Sequence, residues 1–300
     1  MGETEKTTQE RVGGKTLTLQ LTPNLLESLK PQELIQIKGH AELTLNARRA
    51  ITILWHNAHR QGIREGADYT IEIDELKTDG HKGYDPVVEA VESLMMTLLI
   101  FKDANGDDCR VQFLGGNNMT AKGRPGGVLT YSFDKRLVEL LEPSARWGQI
   151  SLPVLMSFSS KYAISLYENI TQSVNLRHIT NATYTIDEFR EMMGVPAGRY
   201  AVYGDLNRHV IKPSVTEINA LAHFEISVLP IKKGKKVDQI MVAWARKSED
   251  AHHEALRERQ RPRVGRRARL TNRVEHVAEA TPSIGRLLRD DQRRRSSKTS

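Results

Sequence analysis

The segment "HFEISVLPIKKGKKVDQIMVAWAR" (223–246) narrows the possible folds more than any other part of the chain. Phe224, Ile226 and Val228 alternate with other residues on one side of a "KKGKK" tip, and Ile240, Val242 and Trp244 alternate on the other. A period of two on both sides of a glycine-centred turn predicts a β-hairpin. Directly before it runs "GDLNRHVIKPSVTEINALAH" (204–223), which repeats at helical spacing. With residues about 100° apart, Leu206, Val210, Ile211, Ile218 and Leu221 share one side. Arg208, Lys212 and Asn219 point the other way, with Val215 and Thr216 beside them. Helices followed by a hairpin with a basic tip are the plan of a winged helix, a variant of helix-turn-helix that also serves protein contacts.

The helix carries Pro213 near its middle, where proline removes a hydrogen bond and costs roughly 3 kcal/mol. Two readings are open: Pro213 starts a new helical turn, or it kinks one continuous helix. The polar face also has two readings. A solvated face would mix both charge signs; this one lacks acid, with Asp205 at the cap and Glu217 toward the apolar side. Donors on one face over an apolar stripe suit the major groove, where Arg208 and Lys212 meet guanine or phosphate, Asn219 meets adenine and Val215 a thymine methyl. Lys232, Lys233, Lys235 and Lys236 at the tip would lie along the adjacent backbone. Pairing with a basic neighbour is one way to place Glu217.

Upstream, the same outline recurs. "TLNARRAITILWHNAHRQG" predicts a helix capped by Thr44 or Asn46, with Ala47, Ile51, Leu54, Trp55 and Ala58 inward and Gly62 as stop. A short strand with Tyr69, Ile71 and Ile73 follows, then a helix from Asp85-Pro86 to about Ile100. "RVQFL" and "VLTYSF" make a hairpin around a glycine-rich loop, and Pro143-Ser144 closes the unit. "SLPVLMSFSSKYAISLYENITQSV" places Leu155, Phe158, Tyr162, Leu166 and Ile170 at helical spacing, opening a second unit. In "TIDEFREMMGV" Thr185 and Glu188 fit a capping box and Gly194 ends the helix. The expected organisation is a flexible lead-in (1–32), winged-helix domains at 33–148 and 149–247, and a disordered arginine-rich tail (248–300), with a transient helix around His252–Glu258. The fold class is α+β.

Of 300 residues, 39% are apolar and the net charge is +7, which favours an anionic partner. Cys109 is the single cysteine, so no internal disulfide framework exists and a cytoplasmic location is expected. "LMMTLLIF" (94–101) is too short to span a bilayer, so no membrane role is expected. The glycine-rich loop 115–127 holds no phosphate-binding signature. His56 and His59 share a helix face without a third ligand, and no His-x-His of a nickase is present. Neither catalytic residue, metal nor cofactor is expected.

"SSKYAISLYENI", "YTIDEFREMMGV", "RYAVYGDLNRHVIKPSVTEINAL" and "KKGKKVDQIMVAW" together resemble the plasmid replication initiators of the Rep-3 family, the RepA- and RepE-like proteins. The likeness covers about 150–246 well and 33–148 more loosely; the arginine-rich tail lies outside it. It implies two winged-helix domains without catalytic activity. It further implies monomers on repeated origin sequences (iterons) in double-stranded plasmid DNA, opening the origin with the host initiator and helping to load the replicative helicase. Homodimers, in equilibrium with monomers and joined through the first domain, would repress the protein's own gene. On that basis Arg208, Lys212, Val215, Thr216 and Asn219 read bases. Lys161, Tyr203 and the tip lysines hold phosphates, and Arg48, Arg49, Lys122 and Arg124 form a secondary contact. A stand-alone transcriptional regulator and a nickase-type initiator are the alternatives.

Overall fold

The computed structural model describes residues 17–77, 83–102, 106–120, 127–176 and 178–271. Chain contacts divide it at Gln260 into a unit of residues 1–260 and another of 261–300. The first half of the larger unit contains β1 (Glu27–Pro31), α1 (Gln32–Ile35), α2 (Leu45–Gln61), β2 (Tyr69–Glu72), α3 (Ile73–Leu76) and α4 (Asp85–Met96). Then come β3 (Leu98–Lys102), β4 (Asp108–Gln112), β5 (Leu114–Met119), β6 (Val128–Phe133) and α5 (Lys135–Leu141). The second half has β7 (Trp147–Ser151), α6 (Leu152–Ser157), α7 (Lys161–Thr171), β8 (Asn181–Thr185), α8 (Ile186–Met193), α9 (Tyr203–Leu206) and α10 (Lys212–Leu221). The hairpin β9 (Phe224–Lys233) and β10 (Lys236–Arg246) and the helix α11 (Glu249–Gln260) complete it.

Each half buries its own core. In the first, the α2 stripe of Ala47, Ile51, Leu54, Trp55 and Ala58 meets α4 and the antiparallel sheet β2-β6-β5. Thr44 caps α2, its hydroxyl accepting the Ala47 N–H at 3.1 Å, and Gly62 ends it. In the second, α7, α8 and α10 cover the sheet β8-β10-β9. Tyr167 and Phe224 stack there with ring planes 3° apart. The expected capping box forms, with the Thr185 hydroxyl and the Glu188 carboxylate each accepting the other's backbone N–H.

Several boundaries differ from the sequence expectation. Residues 1–16 of the expected lead-in lie outside the described residues; within the rest, β1 pairs antiparallel with β7, Ser28 opposite Ile150, which ties this segment to the second half. The apolar run 94–101 is split, because α4 stops at Met96 and β3 pairs with β4. The long helix expected over 151–174 is two, broken at buried Phe158 so that Ser160 caps α7. Of the tail expected over 248–300, residues 249–260 form a full helix, longer than the transient one expected around His252–Glu258, with Ala255 and Glu258 buried, and 272–300 lie outside the described residues. In the smaller unit a short α12 (Arg266–Leu270) follows Gly265, and the Arg269 guanidinium donates to the carbonyls of Pro262 and Val264.

Between the halves lies a polar seam. The buried Lys30 ammonium donates to the Glu168 carboxylate at 2.8 Å, and the Thr52 hydroxyl donates to the same oxygen at 3.1 Å. Arg48 donates to the Ser165 hydroxyl and, at 3.0 Å, to the His40 carbonyl. Arg49 donates to the carbonyls of Phe158 and Met156. Lys161 reaches back to the carbonyls of Ala41 at 2.6 Å and Leu43 at 3.2 Å. Gly194 closes the seam: its φ of 64° suits glycine, and a Cβ there would stand 2.2 Å from the Arg48 guanidinium. Gly194→Ala is therefore expected to cost about 1–2 kcal/mol from the left-handed backbone alone, and more from the clash, measured by chemical denaturation.

Four histidines also sit where charge is unwelcome. Burial, then Arg48, holds His40 down at about 3, its Nδ1–H donating to the Ile37 carbonyl. Burial also lowers His56, His59 and His223. The rings of His56 and His59 make no well-formed hydrogen bond among the described residues. A histidine held below its unfolded value near 6.5 takes up a proton on unfolding, so stability is full above that pH and falls as pH drops. Stability is expected to decline from pH 7 to 5, each such histidine contributing up to about 1.4 kcal/mol per pH unit. Denaturant midpoints at constant ionic strength check this in a window above carboxylate titration.

Candidate nucleic-acid interface

The sequence from Tyr203 to Leu221 is helical throughout, but not uniformly. Between α9 and α10 the residues Asn207–Ile211 form a wider π-helical turn. Pro213 explains the widening: it has no N–H to give the His209 carbonyl four residues back, and in a normal turn its ring would strike that oxygen. The helix passes the proline with Ile211 at φ −68°, ψ −62° and Lys212 at φ −54°, ψ −48°. Pro213 thus sits in the first turn of α10, as the first reading has it, with a π-helical turn before it.

The inward stripe is as the spacing predicts: Leu206, Val210, Ile211, Ile218 and Leu221 are buried. Arg208, His209 and Lys212 are exposed, and neither Arg208 nor Lys212 makes an ion pair with a described residue. Val215 is half-buried and packs against the core edge; the Thr216 hydroxyl donates back to the Lys212 carbonyl at 2.9 Å. Glu217, with no basic partner among the described residues, accepts the Ser159 backbone N–H at 3.0 Å and also the Ser159 hydroxyl, which removes its carboxylate from the outward face.

Asn219 is engaged elsewhere. Its amide nitrogen donates to the Ile226 carbonyl at 3.0 Å and its oxygen accepts the Ile226 N–H at 2.7 Å, so it fixes the start of β9 to the helix. That pair occupies the one carboxamide edge that presents N–H and oxygen side by side, so a bidentate contact with adenine would have to break it. Arg48 and Arg49, expected at the surface, are only 5% and 4% exposed and belong to the seam. Lys161 is half-buried and held by the Ala41 and Leu43 carbonyls, with burial lowering its pKa. Tyr203 is half-buried, and burial raises its hydroxyl. Lys122 and Arg124 lie outside the described residues.

The wing is the hairpin tip. Lys233 and Lys236 face each other across the strands with Gly234 at φ 64° between, and Lys232 and Lys235 flank them. All four are exposed, and none forms an ion pair with a described residue. Like charges placed opposite in a ladder weaken a hairpin, so folding alone does not account for them.

The far end of the helix is finished by Lys247, at the expected end of the second domain, and by Arg259 from the stretch expected as a tail. Lys247 donates to the carbonyls of Asn219 at 2.5 Å and Ala222 at 2.9 Å, and Arg259 of α11 donates to the Leu221 carbonyl at 2.5 Å. These are last-turn carbonyls without helical partners, and cations there also suit the helix dipole. The signal was weak: Ala251 and Ala255, four apart, and Leu256 among charges, with Arg259 reaching back 38 residues.

Helices packed on a hairpin in both halves, with the second exposing a basic helix face beside a basic wing, define a tandem winged-helix protein. The sequence profile described as "Initiator Replication protein, WH1" matches residues 28–171, and that described as "Initiator Rep protein, WH2" matches 185–244, together about two-thirds of the chain. The chain belongs to this family of replication initiator proteins. The first match takes in α7, whereas packing groups Ile150–Val174 with the second core. Among solved structures, the Pi initiator protein in complex with iteron DNA shares the fold, with a TM-score of 0.56 at 16% identity over 76% of this chain and 100% of that one. Domains 2 and 3 of RctB show a more distant likeness, TM-score 0.40 at 12% identity over 70% of this chain and 82% of that one. No curated protein sequence matches the chain. No helix among the described residues is long and apolar enough to cross a membrane.

Proposed function

We propose that this chain is a sequence-specific double-stranded DNA-binding initiator of plasmid replication. It binds tandem origin repeats, opens them together with the host initiator, and helps place the replicative helicase. As a homodimer it represses its own gene. The observation that carries this is the pairing of two exposed cations, Arg208 and Lys212, on a helix locked down by its other face, with a four-lysine wing beside it. Arg208 and Lys212 read bases in a major groove, with Val215 and Thr216 at their flank; the wing follows the phosphates, and Tyr203 borders the same helix. Family membership supports the replication role, and the iteron DNA in the Pi initiator complex supports the kind of site.

Selection from a randomised duplex pool tests it. One enriched sequence is expected, present as direct repeats in the DNA flanking its gene, and a plasmid carrying that DNA should replicate only when the protein is supplied. Enrichment without such replication points to a transcriptional regulator; no enrichment refutes both. Each wing lysine changed to alanine is expected to weaken selected and random duplex alike and to flatten the log–log salt slope by about one. Titrations at several salt concentrations measure that slope.

A further inference from the structure

The turn that delivers the chain from α8 into α9 carries a feature the family reading does not use. Tyr200 has φ 52° and is the one non-glycine residue with positive φ among those described. Left-handed backbone at a bulky residue is disfavoured and persists only where its surroundings impose it. Here Arg190 of α8 imposes it, donating to the Tyr200 carbonyl at 2.7 Å and to the Arg199 carbonyl. The conformation lays the Tyr200 ring on His209, centroids 5.4 Å apart and planes 18° apart. On Tyr200 also sits the Arg199 guanidinium, 5.5 Å from the ring centre.

His209 lies at the middle of the π-helical turn, next to Arg208. A strained turn and a widened helix turn, each disfavoured alone, are thus joined face to face by ring stacking. Arg199 and His209 are exposed, while Tyr200 is partly buried and packs against the edge of the second core. A cation on an aromatic ring keeps its outer N–H groups directed to solvent, in the fork that matches a phosphate. Arg199 forms no ion pair with a described residue.

We propose that Arg199, Tyr200 and His209 form a second DNA-contact element, which rests on the DNA-binding reading above. Arg199 binds a backbone phosphate of duplex DNA, and the Tyr200–His209 stack is a positioning device. It sets how the π-helical turn, and with it Arg208, meets the groove.

The test uses the full chain with two probes, the duplex recovered by selection with the unaltered protein and a random duplex of equal length. Arg199→Ala is expected to weaken both similarly and to flatten the salt slope by about one. Tyr200→Leu is expected to lower the ratio of selected to random affinity by about tenfold, while Tyr200→Phe, which keeps the stack, leaves the ratio unchanged. His209→Ala, at an exposed position, should reproduce Tyr200→Leu and decides the matter if the leucine variant does not fold. Unaltered discrimination in His209→Ala, or an unchanged salt slope in Arg199→Ala, overturns the proposal while the unaltered protein still discriminates. Failure of the unaltered protein to select any duplex removes the DNA-binding reading itself, and this element with it.

Discussion

Glu168→Gln is expected to lower the free energy of unfolding by about 3–5 kcal/mol, the usual cost of removing one partner from a buried ion pair. The carboxylate takes the Lys30 ammonium and the Thr52 hydroxyl on one oxygen, and its charge also favours the cationic form of buried Arg48. Neutralising it leaves Lys30 dry and without an anion. The same physics separates the pair's net worth from the cost of breaking it. Lys30→Met combined with Glu168→Leu removes both charges, and should recover most of the loss because an apolar pair of similar volume fits a buried site as well or better. Denaturant unfolding of Lys30→Met, Glu168→Leu and the two combined, compared at equal slope, measures the coupling. Simple additivity of the two single losses would show that the charges do not act as a pair.

Arg208→Ala is expected to weaken binding to the selected duplex by about 1–3 kcal/mol, the range for a lost base contact. Random duplex should be affected far less, so the ratio of the two affinities collapses along with the absolute value. Stability should hardly change, since Arg208 is exposed and forms no ion pair with a described residue. Competition titrations with both duplexes distinguish this from a plain phosphate contact, which would lower both equally. Equal loss on both would move Arg208 from base reading to backbone holding.

Local physics was legible in the residues and long-range pairing was not. The hairpin period, the inward stripe of the 203–221 helix, the Thr185–Glu188 box and the stops at Gly62 and Gly194 depend on neighbours within a turn or two, and the structure has them where the spacing puts them. Arg48 and Arg49 adjoin the α2 stripe, and only the arrival of α6 and α7 turns them from surface cations into buried donors. Asn219 looked like a base reader because its wheel position is right; its true partner, Ile226, lies seven residues on, across the turn into β9. Pro213 announced a departure from the regular helix but not its form, since a kink, a break and a π-helical turn all relieve the same clash.

The cap that α11 places on α10 bears on where the gene can be cut. A coding boundary after Lys247 looks safe by composition, yet it removes Arg259 and uncovers the contact around Ala255, leaving the Leu221 carbonyl without its guanidinium. An expression product ending there would leave the last turn of α10 without this cap, and a reporter fused at that residue would occupy the place of α11. α11 ends at Gln260, as does the larger unit, and a boundary set there keeps the cap whole.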